Sequence, residues 1–172
     1  TGDVLGRVRL DIGADENAGS LHDRILEAGK HLLAETVDHL AEGVAEVKPQ
    51  SEYDLEASEL LEAPKLFKAD RKIDWNRPSK EVHNLIRGLS PSPGAVTYLP
   101  ESENDPIKIL SATPSEKTGL APGQIHISEN SFTVGTKDGS LEVKRIQPPG
   151  KGAMEIGDFL RGARTSFNNF VS

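Results

Sequence analysis

The chain has 172 residues, 35% hydrophobic and 27% charged, with a formal net charge of −7 at pH 7. That composition suits one globular domain or a domain plus a further piece, and it excludes a disordered polyelectrolyte and a bundle of membrane-spanning helices, because no apolar run approaches the roughly 20 residues a bilayer requires. The absence of cysteine excludes disulfides, thiol catalysis and thiolate metal sites and fits a reducing cytoplasm.

Val4, Val8, Leu10 and Ile12 alternate with Arg7, Arg9 and Asp11, which predicts a half-buried strand over 4–12. After a polar turn over 14–19, Ser20 with Asp23 three residues on predicts a capped helix. Its apolar face is Leu21, Ile25, Leu32, Leu33, Val37 and Leu40, and it ends at Gly43. One strand and one helix cannot cover each other completely, so residues 1–48 are expected to be the last piece of an α/β sheet with an apolar face left open.

Residues 49–64 carry Pro49, Ser51 and Pro64 with the acids Glu52, Asp54, Glu56, Glu59 and Glu62, the composition of a solvated linker. Bases then bunch at Lys65, Lys68, Arg71 and Lys72 against the single acid Asp70. The whole excess of negative charge precedes residue 73: residues 1–72 hold 16 acids and 9 bases, residues 73–172 hold 11 of each. Screening limits distant charge to about 8–10 Å, so this strip can attract phosphate although the protein is acidic.

Asn76 as N-cap and Pro78 in the first turn predict a helix with the buried stripe Val82, Leu85, Ile86 and Leu89, stopped by Gly88, Pro91 and Pro93. Trp75, between Ile73 and this helix, is expected in the core rather than stacked on a base. Five alternating runs follow, at 95–99, 107–112, 123–128, 132–136 and 141–147, with hairpin signals at Asp138-Gly139 and Asn130-Ser131. That is the strand content of a small β-barrel. A short helix at 154–161, apolar through Met154, Ile156, Phe159 and Leu160, would cover one side.

Residue types capable of independent chemistry are sparse. His22, His31 and His39 share one predicted helix at separations of nine and eight, neither of which aligns metal ligands, and His83 and His126 stand alone in sequence. All five are expected on the surface. The loop Pro148 to Gly152 contains Lys151 but lacks the spacing and following Ser or Thr of a nucleotide-binding loop.

Ile73-Asp74-Trp75, the run IRGLSP from Ile86 to Pro91, and Pro93-Gly94-Ala95 together resemble the domain junction of the bacterial methionyl-tRNA formyltransferase family. Thr1, Gly2 and Asp3 fall in register with the family's Leu-Asp-Thr-Gly-Asp run, and Ile146 to Gly162 is similar to its closing strand, glycine-lysine loop and last helix. The resemblance implies an α+β chain: a terminal strand–helix piece of an α/β formyltransferase domain at 1–48, a linker at 49–72, and a small OB-like β-barrel with flanking helices at 73–172. It implies a cytoplasmic monomer acting in translation initiation, with no metal and no membrane partner, that transfers a formyl group from 10-formyltetrahydrofolate to the amino group of methionyl initiator tRNA.

Such a transfer needs a base to take a proton from the ammonium and donors for an oxyanion, roles suited to a carboxylate, an imidazole and an amide. The resemblance places those three, and the folate pocket, upstream of Thr1, which would leave this chain inactive alone. Asp3, two places past Thr1, is the catalytic candidate within the chain, with sheet-end structure as its alternative role. The family's lysine-rich linker lies along the tRNA acceptor arm, which marks Lys65, Lys68, Arg71 and Lys72 as phosphate-facing candidates, with Arg87, Lys144, Arg145 and Lys151 behind them. The neutrality of residues 73–172 departs from the basic C-terminal domains of some members. Other formyl-folate enzymes, acting on sugar nucleotides or hydrolysing the folate, share the catalytic half, and a non-catalytic RNA- or protein-binding barrel is the alternative of a different class.

Overall fold

The computed structural model describes residues 2–53, 62–100, 102–115, 119–128, 131–162 and 169–170, without the side chain of Glu103. The chain divides into two compact units, Thr1–Ala14 with Ser20–Lys65, and Asp15–Gly19 with Leu66–Ser172.

The first unit is built on a long helix, α1 (Ala18–Glu42), with two short strands, β1 (Asp3–Val4) and β2 (Lys48–Pro49). The strand expected over 4–12 is only two residues long: Asp3 pairs with Pro49 and Val4 with Lys48. Alternation makes a strand only where a neighbour completes the backbone hydrogen bonds, and residues 5–12 have no ladder partner among the described residues. Helix α1 starts at Ala18, so Ser20 lies inside the first turn instead of capping it. It ends as expected, with the Gly43 N–H on the Leu40 carbonyl (3.2 Å) and the Val44 N–H on that of His39 (2.9 Å), the pair of bonds that closes many helix C-termini. No residue of α1 is buried. Leu5, Val8, Ile12, Ile25, Leu33, Val37 and Leu40 all stand exposed. Of the acidic linker residues, Glu52 and Glu62 are exposed, whereas Asp54, Glu56 and Glu59 lie outside the described residues.

The second unit holds α2 (Ser79–Leu89) and a six-stranded antiparallel sheet of β3 (Ala95–Leu99), β4 (Ser102–Ser115), β5 (Ile125–Ile127), β6 (Phe132–Gly135), β7 (Ser140–Gln147) and β8 (Met154–Glu155), followed by α3 (Ile156–Gly162). The order is β3-β4-β7-β6-β5, with β8 on β7. Strand β4 outruns its expected length because it is paired on both edges, and register shifts around Ser111 against β7 bend it. The sheet curls into a half-barrel; among the described residues no ladder joins β3 to β5. Strand β8 stands where a helix was expected to begin. Strand β6 covers β7 only as far as Val143, and Glu155 and Met154 take up the free edge at Arg145 and Ile146. Asp138-Gly139 forms the β6–β7 turn as expected, and Asn130 lies outside the described residues.

The core is where the helix stripe meets the inner face of the sheet. Val82, Ile86 and Leu89 join Ile73, Trp75, Ile109, Phe132, Val134, Leu141, Val143 and Ile146, each at most 4% exposed. Trp75 is fully buried, donates from Nε1 to Thr97 Oγ1 at 3.0 Å and stacks on Phe170 at 5.7 Å with 12° between the rings. The Phe170 N–H reaches the Gly123 carbonyl at 2.8 Å, a core contribution from the C-terminal end that no sequence pattern indicated. Gly135 is required by close approach, since a Cβ there would lie 2.2 Å from the Ala121 carbonyl oxygen.

Two local expectations fail for the same reason. Asn76 does not cap α2; its N–H bonds to Asp74 Oδ1 at 3.0 Å and the helix starts after Pro78. The cap is Asp138, whose Oδ1 accepts the Ser79 N–H at 2.7 Å and the Ser79 hydroxyl at 3.0 Å. Those bonds, the backbone one first, hold the Asp138 carboxyl below its ordinary range. His83 is not a surface residue either: it is 7% exposed, with Nε2 3.6 Å from Asp15 Oδ1. In both cases the partner is remote in sequence.

Candidate nucleic-acid interface

Of the basic strip, Lys65 is the last residue of the first unit, and Lys68, Arg71 and Lys72 belong to the second. The second unit opens with a tight turn. The Phe67 N–H donates to Asp70 Oδ2 at 2.7 Å, the Asp70 N–H returns to the Phe67 carbonyl at 3.2 Å, and a 3-10 turn spans Ala69–Arg71. The chain then joins the sheet beside β3, where Lys72 bridges to Val96 and the Ile73 N–H donates to the Val96 carbonyl at 2.8 Å.

Arg71 is half-buried. Its Nε donates to the Gly94 carbonyl at 3.1 Å and its Nη2 to that of Pro93 at 2.9 Å. The basic turn is thereby fastened to the Pro93-Gly94-Ala95 loop, which explains physically why these two sequence features occur together. Gly94 sits at φ +82°, where a side chain is strained, and a Cβ there would meet the Lys108 and Leu110 side chains at 3.0 and 3.2 Å. Arg71 thus positions the turn, while Lys65, Lys68 and Lys72 are exposed.

An open groove of about 530 Å³ beside the turn is lined by Asp70, Lys72, Asp74, Arg77, Glu81, Val82 and Leu85. Its acids are engaged locally: Asp70 by Phe67, Asp74 by Asn76, and Glu81 by Arg77 Nε at 2.7 Å. With three acids against two bases the groove is no phosphate pocket by itself, and the exposed lysine amino groups are what a backbone phosphate would meet.

Sequence spacing held no hint of Lys108. In the register of the sheet Val96 pairs with Lys108 and Lys108 with Gln147. Lys108 therefore shares a face with both, on the side opposite the core residues Ile107 and Ile109. Gln147 Nε2 donates to the Lys151 carbonyl at 3.0 Å, so the exposed Lys151 loop begins at the far end of the same row as Lys72. The remaining candidates are tied to other groups. Arg87 is half-buried, with Nη1 on the Glu16 carbonyl at 3.0 Å and Nε on Asn84 Oδ1 at 2.8 Å. Lys144 pairs with Glu142 at 2.7 Å, and Arg145 Nε lies 3.7 Å from Glu155.

Among the described residues no amide, imidazole and carboxylate are brought together around Asp3. Asp3 is exposed in β1, beside a shallow groove of about 380 Å³ lined by Asp3, Val4, Leu5, Gly6, Gly29, Leu32, Leu33 and Thr36. That groove offers one carboxylate and neither an imidazole nor a side-chain amide, so it does not fit a formyl-folate donor together with the groups its chemistry needs. Among the described residues no three His, Asp or Glu side chains are placed to hold a metal, and no helix is long and apolar enough to cross a membrane.

Residues 65–164 match the family described as formyl transferase, C-terminal domain. Proteins named methionyl-tRNA formyltransferase are similar over nearly the whole chain: that of Phocaeicola vulgatus is 37% identical over 99% of this chain and 54% of its own length, and that of Bacteroides fragilis 40% identical over 94% and 51%. The chain thus spans about half the length of these relatives. Among solved structures, HypX from Aquifex aeolicus in complex with tetrahydrofolic acid has the same fold over 98% of this chain and 31% of its own, with a TM-score of 0.67 and 18% identity. An N-formyltransferase from Helicobacter canadensis covers 83% of this chain and 50% of its own at a TM-score of 0.52 and 18% identity. With a family match across more than half of its residues, and relatives of one name along nearly all of it, the chain belongs to the formyl transferase family.

Proposed function

We propose that this chain is the substrate-positioning part of a methionyl-tRNA formyltransferase. The observation that carries the reading is similarity along almost the entire chain, at 37–40% identity, to proteins of that name. The reaction moves a formyl group from 10-formyltetrahydrofolate to the amino group of methionine on initiator tRNA, in the cytoplasm, and the protein acts as a monomer. Residues 1–48 are the end of the catalytic domain, 49–72 the interdomain linker, and 73–172 the C-terminal domain, whose curled sheet is an OB-like barrel. The folate donor and the catalytic amide, imidazole and carboxylate belong to the half of the relatives' length that this chain does not span. The ten exposed large apolar residues from Leu5 to Val47 support this division, since a helix and strands that bury so little of their apolar side chains are what the end of a larger sheet domain would leave uncovered.

Contact with tRNA falls to Lys65, Lys68 and Lys72, with Arg71 holding the turn and Lys151 and Lys108 extending the basic row; Arg87, Lys144 and Arg145 contribute less because their charges are already engaged. The full-length protein should formylate methionyl-tRNA while the 172-residue chain does not. Turnover by the chain alone, abolished by a substitution within it, would refute the placement of the catalytic groups, and turnover of a sugar nucleotide by the full-length protein would favour the other branch of the family. Replacing Lys65, Lys68 and Lys72 by Ala in the full-length protein should weaken tRNA binding and flatten log K against log salt by up to roughly 0.7–0.9 for each phosphate no longer neutralised, with folate binding unchanged. An unaltered slope and affinity would return the strip to a solvated linker.

A further inference from the structure

The turn that carries Lys68 also presents an aromatic ring to solvent. Phe67 is 62% exposed, beside Leu66 at 58%, although large apolar side chains are the ones that gain most from burial. The backbone under the ring is ordered: Phe67 and Asp70 exchange two hydrogen bonds, and Arg71 ties the same turn to the carbonyls of Pro93 and Gly94. A ring displayed on a fastened turn loses little further freedom when a partner arrives. Lys68 follows the ring directly and Lys72 closes the turn; among the described residues neither amino group has an ion-pair partner. An aromatic face with neighbouring cations is the combination that binds unpaired nucleotides, the base stacking on the ring while the phosphates meet the amines. A duplex hides its base faces and could use only the lysines.

We propose that Phe67 is a stacking side chain for an unpaired nucleotide of RNA, with Lys68 and Lys72 on the flanking phosphates. This rests on the tRNA reading above and deepens it, by assigning the turn to a single-stranded segment of the RNA and not to a helix.

The test measures binding of the 172-residue chain to a short unpaired oligoribonucleotide and to a blunt RNA duplex, for wild type, Phe67→Ala, Phe67→Leu and Phe67→Trp. Phe67→Ala and Phe67→Leu should each weaken the unpaired oligonucleotide by roughly 5- to 100-fold and leave the duplex unchanged. Phe67→Trp should retain binding, and its emission should be quenched by the oligonucleotide above the background of the buried Trp75. If Phe67→Leu binds like wild type, or if duplex and single strand weaken equally, stacking is overturned. Salt-dependent wild-type binding that no Phe67 variant alters overturns stacking and leaves the lysine reading standing, whereas absence of binding by wild type overturns both. A change in sedimentation between monomer and dimer in Phe67→Ala, with RNA affinity intact, would make the ring a contact between copies and end the proposal.

Discussion

Helices α1 and α2 are both amphipathic in sequence, yet they meet opposite fates. The 25 residues of α1 bury none of their side chains, whereas the 11 residues of α2 bury Val82, His83, Ile86 and Leu89. Periodicity is enough to make a helix, but only an opposing surface turns its stripe into a core. The second unit supplies that surface through a curled sheet and two aromatic rings, Trp75 and Phe170. The first supplies, among the described residues, two residue pairs of sheet.

The contrast is sharpest in truncation. Trp75→Ala should destabilise the second unit by about 3–5 kcal/mol, because it removes a fully buried ring and leaves Thr97 without its donor. Leu33→Ala, at a residue 66% exposed, should cost no more than about 0.5 kcal/mol. Urea unfolding followed by circular dichroism measures both, and comparable costs would abolish the distinction drawn between the two helices.

Hydrogen exchange of the dilute chain gives a second difference in kind. Amides of β4, β6 and β7 should be the slowest, and those from Val4 to Leu40 should exchange early. Slow exchange throughout Val4–Leu40 would mean that the first unit is stabilised in a way its exposed apolar residues do not suggest.

Acid should act on the second unit through His83. Burial lowers its pKa, assisted by Arg87 and opposed by Asp15 and by a hydrogen bond with the Ala112 backbone. The unfolded chain therefore binds this proton more readily than the folded one. The stability contributed by neutral His83 is fully present above its ordinary value of 6.5 and is lost as the pH falls through the lower folded value. Urea midpoints on either side of that pH should show the loss in wild type and a flatter dependence in His83→Gln; identical slopes would remove His83 as the cause.

The smallest effect belongs to Asp138. Its carboxyl is held below the ordinary 3.8 by the Ser79 backbone and hydroxyl donors, so the cap is intact above that value and fails as the pH drops through the lower folded one. Asp138→Ala should slow nothing, speed exchange at the first turn of α2 and leave the rest of the sheet unaffected. An unchanged α2 N-terminus would show that the Asp138 bonds to Ser79 do not hold that turn, the Ser79–Thr136 hydroxyl contact of 2.6 Å being enough to anchor it without a cap.

Features whose causes lie within a few residues were legible in the sequence. Both long helices, the end of α1 at Gly43, the Asp138-Gly139 turn, the strand-rich second half and the place of Trp75 in the core all follow from local spacing. So does the density of lysine near residue 65, which is a matter of counting. Whatever depends on a remote partner waited for the folded chain. Residues 5–12 alternate like a strand but have no neighbouring ladder among the described residues, α2 takes its cap from Asp138, His83 is covered near Asp15, and β8 forms because an edge of β7 was left open. The candidate site divides the same way: charge alone marked Lys68 and Lys72, whereas the use of Arg71 as a fastener and the alignment of Lys108 with Val96 and Gln147 required the sheet. Hydrogen bonds and burial join groups by distance in space, and one-dimensional periodicity records only those whose partner is also a neighbour in sequence.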